Sequence, residues 1–226
     1  YYDMKKIAII PAKSNSSRIE NKNFRPFYNG KSLLEIKVEQ CIGSASFDHI
    51  YISSDNYDCA RIADKYGVEF IFRDSKYCLD STPWSEVLVS VLEQTNTDDD
   101  DLISWVPVTS PLFSDYSRAL LLLSENSRAH DSLMTVTEHK HYMLNNDFIP
   151  CNFHFGVWAS YSQLIKPYYQ MNCALWIAPK EKMIRNRFQT GDNPYFMVTP
   201  MLDSIDIDEP EEFELAQILF KKKYEN

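Results

Sequence analysis

Neither G-x-G-x-x-G nor G-x-x-x-x-G-K occurs anywhere in the 226 residues. The first absence removes support for dinucleotide binding, the second for a Walker-type phosphate loop. No C-x-x-C pair occurs either, and the five cysteines, Cys41, Cys59, Cys78, Cys151 and Cys173, are odd in number. This argues against structural zinc and for free thiols in a reducing compartment, so a cytoplasmic location is expected. His139, His141 and His154 group loosely, as surface or loop histidines do. No apolar run approaches the ~18 residues of a membrane span. The basic start runs straight into a short strand, so no signal peptide is expected. Repeats and low-complexity tracts are missing too. Nor is there an excess of positive charge: 23 basic residues face 32 acidic ones, for a net charge of −9. That balance argues against nucleic-acid binding by a broad basic face.

What is there reads as one domain, with apolar runs alternating with helical patterns; the residues before Met4 are left out of this reading. "IAII" within Lys6–Pro11 is a short continuous apolar run, the mark of a strand buried on both faces. Ser32–Gly43 predicts a helix with a capping box from Ser32 to Glu35. "HIYISS" is a second strand, Tyr57–Tyr66 a helix stopped by Gly67, and "VEFIF" a third strand. Thr82 is placed to cap a helix with Pro83 in its first turn, running through "SEVLVSVLEQ". "DLISWVPV" is a fourth strand, Asp115–Asn126 a helix and "SLMTVT" a fifth strand. Beyond about residue 138 the rhythm loosens, with short strands expected at "FGVWAS" and "NCALWIA". The chain ends on "SIDID", read as a strand of alternating Ile and Asp. A helix begun by Pro210 follows, with acids in its first turn and lysines in its last, as the helix dipole favours. Strand-helix alternation implies parallel strands with crossover helices, an α/β Rossmann-like three-layer sandwich with a mostly parallel twisted sheet.

In such sheets ligands bind beyond the carboxyl ends of the strands, where strand order reverses. The segment after "IAII", "PAKSNSSRIENKN", occupies such an end. It sets Lys13, Arg18 and Lys22, with Arg25 and Lys31 close behind, against an acidic average. Local positive charge suits a small anion, and a phosphate can be held by loop amides together with Lys and Arg side chains. Read alone, the segment also fits a solvated loop.

The loop does not stand alone. "IIPAKSNSSRIENKN" with "GKSLLEI" resembles the opening signature of the sugar-activating cytidylyltransferases, which make CMP-sialic acid and related CMP-acidic sugars. "YISSDN", "FRD", "DSTPWSEVLVSVL", "VPVTSPL" and "NPYF…DSIDIDEPEEFELA" follow in that family's order and spacing. The likeness covers most of the chain, and six pieces in order are specific where one would be weak. The Ser-Ser-Arg step looks more like the branch that activates Kdo. Lys22-Asn23 and the SIDID ending look more like the acylneuraminate branch.

The resemblance implies that CMP passes from CTP to the anomeric hydroxyl of an acidic sugar, with Mg²⁺ as cofactor and pyrophosphate leaving; acylneuraminate cytidylyltransferase is the activity it favours. It gives Lys13, Arg18 and Lys22 to the phosphates, and Pro11, Ala12, Asn15, Ser16 and Asn23 to the nucleotide. It adds Arg73, and it frames the cytosine with Asp80, Ser81, Thr82 and Trp84. Thr109, Ser110, Phe155 and Gly156 fall at the sugar. Asp206 and Asp208 fall at the metal, and alternation along a strand would put both carboxylates on one face, as oxygen donors that suit Mg²⁺. The other reading of "DID" is a polar edge strand.

Some positions depart from the pattern. Lys13 stands where the family usually has arginine, and lysine lacks arginine's bidentate fork. Pro107 and Phe113 stand where glutamine and arginine are frequent. Phe155-Gly156 is matched to the family's Asn-Gly strand. Residues 139–190 are then a shortened extension for dimerisation and the sugar side, within a single domain of residues 4–226. A homodimer is expected, and no membrane or nucleic-acid partner. A Kdo-type or other sugar nucleotidyltransferase, or a nucleotide-binding homologue without turnover, remain as alternatives.

Overall fold

The computed structural model describes residues 4–14 and 16–225. Its central sheet is organised around β1 (Lys6–Pro11), whose residues pack on both faces. Ala8 and Ile10 face one layer of core, Ile7 and Ile9 the other, all four fully buried. Burying each isoleucine contributes about 1.5–3 kcal/mol, which is why four apolar residues in a row specify an interior strand. After a small hairpin, β2 (Pro26–Tyr28) and β3 (Lys31–Ser32), comes α1 (Leu33–Gly43). The expected capping box is present: Glu35 N–H donates to Ser32 Oγ at 3.2 Å, and Ser32 N–H to the Glu35 carboxylate at 3.1 Å. β4 (His49–Ser54), α2 (Asp58–Tyr66) and β5 (Glu69–Phe72) follow, and Gly67 ends α2 in the left-handed conformation, φ 67°.

α3 (Trp84–Leu92) starts one residue later than a Thr82 cap requires. Pro83 holds the cap position, and the Thr82 hydroxyl donates to Lys76 O instead. β6 (Leu102–Trp105) is shorter than "DLISWVPV", because the chain leaves the sheet from Val106 onward. α4 (Tyr116–Glu125) and β7 (Ser132–His139) match their sequence patterns closely.

The carboxyl-terminal half differs more. "FGVWAS" is not a strand: residues 155–158 form an exposed bend and turn. "NCALWIA" is the second half of a longer strand, β8 (Tyr168–Pro179), followed by α5 (Lys180–Asn186). β9 (Pro194–Thr199) was not anticipated. "SIDID" is no strand either: Met201–Ser204 is a single 3-10 turn and residues 205–208 are extended but unpaired as a ladder. α6 (Pro210–Tyr224) closes the fold with Glu211 and Glu212 at its start and Lys221, Lys222 and Lys223 at its end.

The sheet order is β5-β4-β1-β6-β8-β7-β9. All pairs are parallel except those of β8, which runs antiparallel between β6 and β7. α1, α2, α4 and α6 supply one core layer, α3 and α5 the other. The chain moves from β1 to β4 and β5, then returns to β6 on the other side of β1. Strand order therefore reverses between β1 and β6, and their carboxyl ends frame a crevice. The region expected as one extension, 139–190, divides in two: β8 and α5 belong to the main sheet and its covering layer, and only about residues 140–167 project from it.

β8 carries a wide bulge. Met134 pairs with Trp176, but Val136 pairs with Met171, so Thr135 alone opposes residues 172–175. Asn172, 3% exposed, ties the bulge down. Its amide donates to Thr199 Oγ1 at 2.7 Å and Thr137 Oγ1 at 3.0 Å, and Ala174 N–H donates to its Oδ1 at 3.2 Å. Cys173 then takes a left-handed φ of 57° and reaches the crevice.

Candidate active site

A cleft of about 570 Å³ opens at the carboxyl ends of β1 and β6. Its basic rim comes from the loop after β1. Ala12 N–H donates to Ser53 O at 2.9 Å, which carries the backbone past the end of β4. Asp55 then accepts from both the Ser14 N–H at 2.7 Å and the Ser14 hydroxyl at 2.6 Å. Burial pushes Asp55 up, but these bonds and the nearby Arg73 charge outweigh it and hold the carboxyl below its usual range. Asp55 is a loop anchor that no sequence signal singled out. Asn15 lies outside the described residues.

Lys13, Arg18 and Lys22 converge on the cleft in three different states. Lys13 Nζ pairs with Asp80 Oδ1 at 2.8 Å on the exposed rim. Arg18 bridges Asp208 at 2.8 Å and Glu209 at 3.0 Å, again half-exposed. Lys22 is buried; its ammonium donates to Ile207 O at 2.7 Å and lies 3.7 Å from Asp208 Oδ1. Burial pushes its pKa below the usual lysine range, against the pull of Asp208 and Asp206. Asn23 donates to Lys13 O at 2.9 Å, leaving its own buried Oδ1 without a partner. Arg73, 4% exposed, also lines the cleft, with Nε unpartnered.

The acids sit on the far rim. Ile207 N–H donates to Thr109 O at 2.8 Å, pinning residues 205–208 alongside the loop that leaves β6. Glu212 accepts from the N–H groups of Asp208 at 2.7 Å and Glu209 at 2.8 Å, locking the entry to α6. Asp206 is largely buried, with Oδ1 unpartnered. Burial raises its pKa first and the Asp208 charge adds to it, with the Thr109 hydrogen bond and Lys22 opposing. The two carboxylates thus share a neighbourhood through an extended, anchored segment.

The floor is aromatic. Trp84 meets Trp105 edge-on at 5.4 Å between ring centres, and Trp176 completes the wall with Gln189 beside it. Gln189 is 5% exposed and its Oε1 has no partner. Trp105, Trp176, Gln189 and Cys173 were not among the residues expected from sequence. Cys173 and Trp176 reach the cleft because β8 inserts beside β6.

Of the expected nucleotide residues, Pro11, Lys13, Ser16, Arg18, Lys22, Asn23, Arg73, Asp80 and Trp84 line the cleft. Ala12 lies behind it in the core, and Ser81 and Thr82 point elsewhere on the rim loop. Among the expected sugar residues Thr109 lines it, while Ser110 is buried, with its carbonyl turned to Lys37. Phe155 and Gly156 do not line it; Phe155 is 74% exposed and packs on Phe153. Cys173, next to the buried Asn172, is the residue here that lines the cleft with the left-handed φ that glycine favours.

Comparison with known proteins agrees with this geometry. The family model described as Cytidylyltransferase matches residues 7–171. A pseudaminic acid cytidylyltransferase of Campylobacter jejuni subsp. jejuni serotype O:2 is 27% identical, over 99% of this chain and 99% of its own. An N-acylneuraminate cytidylyltransferase of Escherichia coli O18:K1:H7 is 27% identical over 96% of this chain, which spans 52% of that protein. A solved CMP:2-keto-3-deoxy-manno-octonic acid synthetase complexed with CTP shares the fold, with a TM-score of 0.66 at 13% identity, covering 97% of this chain and 99% of its own. Among the described residues no helix is long and apolar enough to cross a membrane. The family match runs from β1 into β8 and takes in the first loop, Arg73, the Asp80–Trp84 segment and the end of β6, so the chain belongs to the cytidylyltransferase family of nucleotidyltransferases.

Proposed function

We propose that the protein transfers CMP from CTP to the anomeric hydroxyl of a nonulosonate, releasing pyrophosphate. The sugar oxygen forms a bond to the α-phosphorus as the bond to the pyrophosphate oxygen breaks. The observation that carries this reading is the convergence of Lys13, Arg18, Lys22 and Asp208 on one cleft, with the largely buried, unpartnered carboxylate oxygen of Asp206 two residues from Asp208. Triphosphate oxygens would take Lys13 and Arg18 over from Asp80, Asp208 and Glu209, while Lys22 is already fixed. Arg73 and the Asp80–Trp84 segment bound the nucleotide end, and Trp176, Gln189 and Cys173 bound the sugar end.

The residues present fit a divalent cation. Asp206 Oδ1 lacks a donor in a buried setting, and its raised pKa marks a carboxylate short of positive charge. Asp206 and Asp208 would hold Mg²⁺, with phosphate oxygens and water completing an octahedron. Bound there, the metal would neutralise charge on the phosphates and the leaving group.

A pseudaminic-type sugar is the favoured acceptor, because a relative of that name matches end to end. The reading includes a homodimer: the projecting segment exposes Phe148, Trp158, Tyr161 and Leu164, each at least 74% accessible, and aromatics are enriched at interfaces. It also places the reaction in the cytoplasm, where thiols stay reduced. The test is pyrophosphate release from CTP and Mg²⁺ with pseudaminic, legionaminic and sialic acids and Kdo. Release with a nonulosonate supports the reading, release with Kdo alone redirects it, and release with none identifies a binding protein without turnover.

A further inference from the structure

Behind the cleft, the loop that leaves β6 has no ladder to satisfy its backbone. Four consecutive carbonyls, of residues 110–113, are each taken by a side-chain donor. Lys37, fully buried on α1, donates to Ser110 O at 2.7 Å, Phe113 O at 2.9 Å and the Tyr116 hydroxyl at 3.2 Å. One turn on, Gln40 donates to Pro111 O at 2.7 Å. From the last turn of α6, Lys223 donates to Leu112 O at 2.7 Å and to Asp203 Oδ1 at 2.8 Å.

Burying an ammonium is costly unless it is well paired, and the groups facing Lys37 are Cys41, Tyr116 and Lys223 rather than a carboxylate. Burial pushes the Lys37 pKa down to about 7. An apolar residue of similar volume would fill the space at lower cost, so the hydrogen bonds are the gain. Their target is the loop that carries Thr109, whose carbonyl accepts from the N–H of Ile207, between Asp206 and Asp208, at 2.8 Å. Lys223 reaches the same acidic segment from its other end, through Asp203.

We propose that Lys37, with Gln40 and Lys223, is a positioning clamp: by fixing the carbonyls of residues 110–113 from behind, it holds Thr109, and through it Asp206 and Asp208, in place at the cleft. Phe113, 1% exposed, leaves no cation on the loop itself at its end, and the positive charge comes from beneath. The consequence for turnover rests on the proposed CMP transfer; the coupling between the two segments does not.

The test measures both. Lys37→Met and Lys223→Met are compared with the wild type by amide hydrogen exchange and by pyrophosphate release. Lys223 is 38% accessible at its side chain, so its replacement folds even if the buried one does not. The expected result is exchange about tenfold faster at residues 201–209, the size of one lost hydrogen bond, with β1 and β4 amides at wild-type rates. In turnover, kcat falls while KM for CTP stays unchanged, and Lys223→Arg recovers most of the loss. Exchange at 201–209 that stays at the wild-type rate, or that rises only together with β1 and β4, overturns the clamp. A wild type that releases no pyrophosphate with any acidic sugar sinks the proposed function and leaves the exchange result to decide the clamp by itself.

Discussion

Asp206→Asn should make the protein more stable and less active at once. In the folded state Asp206 is mostly buried, one carboxylate oxygen has no donor, and Asp208 is a like charge nearby. Burial, then Asp208, raises its pKa above the unfolded value. A carboxyl shifted upward costs stability wherever it is ionised in the unfolded chain, and the cost fades as pH falls and the folded state takes up its proton. An uncompensated buried polar group costs about 1–3 kcal/mol, and the Thr109 bond and Lys22 offset part of that. A gain of about 1 kcal/mol at pH 7 is therefore expected for the amide, which in a chain of this size raises Tm by about 2–4 °C. The gain should shrink as pH falls through the raised pKa of the folded state. Turnover should fall on the order of 10²–10³-fold, the usual loss when one preorganised electrostatic partner goes, with partial rescue at high Mg²⁺. Thermal unfolding across pH, beside pyrophosphate release across Mg²⁺ concentrations, reads both effects. A variant that is less stable at pH 7, or that turns over like the wild type at every Mg²⁺ concentration, would refute the reasoning.

Lys22→Met should weaken CTP binding about ten- to a hundred-fold, since a charge-assisted bond contributes about 1.5–3 kcal/mol; calorimetric titration with an unchanged affinity would move the phosphate site elsewhere. Cys173→Gly should stabilise the fold by about 1 kcal/mol, because Cys173 holds a left-handed φ of 57° and such strain costs on the order of 1–3 kcal/mol; a lower urea midpoint would show that the thiol's packing matters more. Gly191→Ala places a Cβ 2.5 Å from Asp131 Oδ1, and Lys182, Ser132 and two backbone N–H groups prevent that carboxylate from yielding. Overpacking of this kind costs about 1–3 kcal/mol, measurable by denaturant melting. Burial pushes Asp131 up, but its hydrogen bonds win and hold its pKa well below the carboxylate range. Its contribution is present above the unfolded pKa and lost in acid, so Asp131→Asn should flatten the acid limb of the stability curve.

Much of the fold was legible because local chemistry and global position agree. "IAII" could only be an interior strand once both faces were apolar, and β1 is buried on both. Ser32 with Glu35, Gly67, and Pro210 with its flanking acids and lysines each mark a helix end by a mechanism that acts within a few residues. The carboxyl-terminal half was less legible for an equally physical reason. The bulge at 172–175 breaks the two-residue period of β8, so only its second half reads as a strand. In β9, an edge strand, Phe196 and Val198 face outward at 55% and 49% exposure, opposite to the apolar-in pattern. "SIDID" does alternate, but alternation reports an extended backbone rather than a paired one. Ile207 is buried and hydrogen-bonded to Thr109 across a single bridge.

The site was legible as charge and illegible as depth. Lys13, Arg18 and Lys22 stood out because they oppose an acidic average, whereas Trp105 and Trp176, at 1% and 7% exposure, look in sequence like ordinary core. Charge alone also overstated how bare the basic loop is, because Asp80, Asp208 and Glu209 occupy two of its cations. Those partners are separated from the loop by 67 to 191 residues, a distance no local pattern spans. Magnitudes decide what they mean. Exposed pairs of this kind contribute about 0–1 kcal/mol each, less than the about 1.5–3 kcal/mol of a charge-assisted bond to phosphate. A triphosphate can therefore displace Asp80 and Glu209 from Lys13 and Arg18 at little cost. On the proposed function, Asp208, released from Arg18, would then join Asp206 around a cation. Lys22 cannot exchange in this way, because it is buried and bound to a carbonyl. On the proposed function, the cleft would combine one fixed cation, Lys22, which would set where the phosphates lie, with two exchangeable ones, Lys13 and Arg18, whose release from their acids would prepare the carboxylates for a metal.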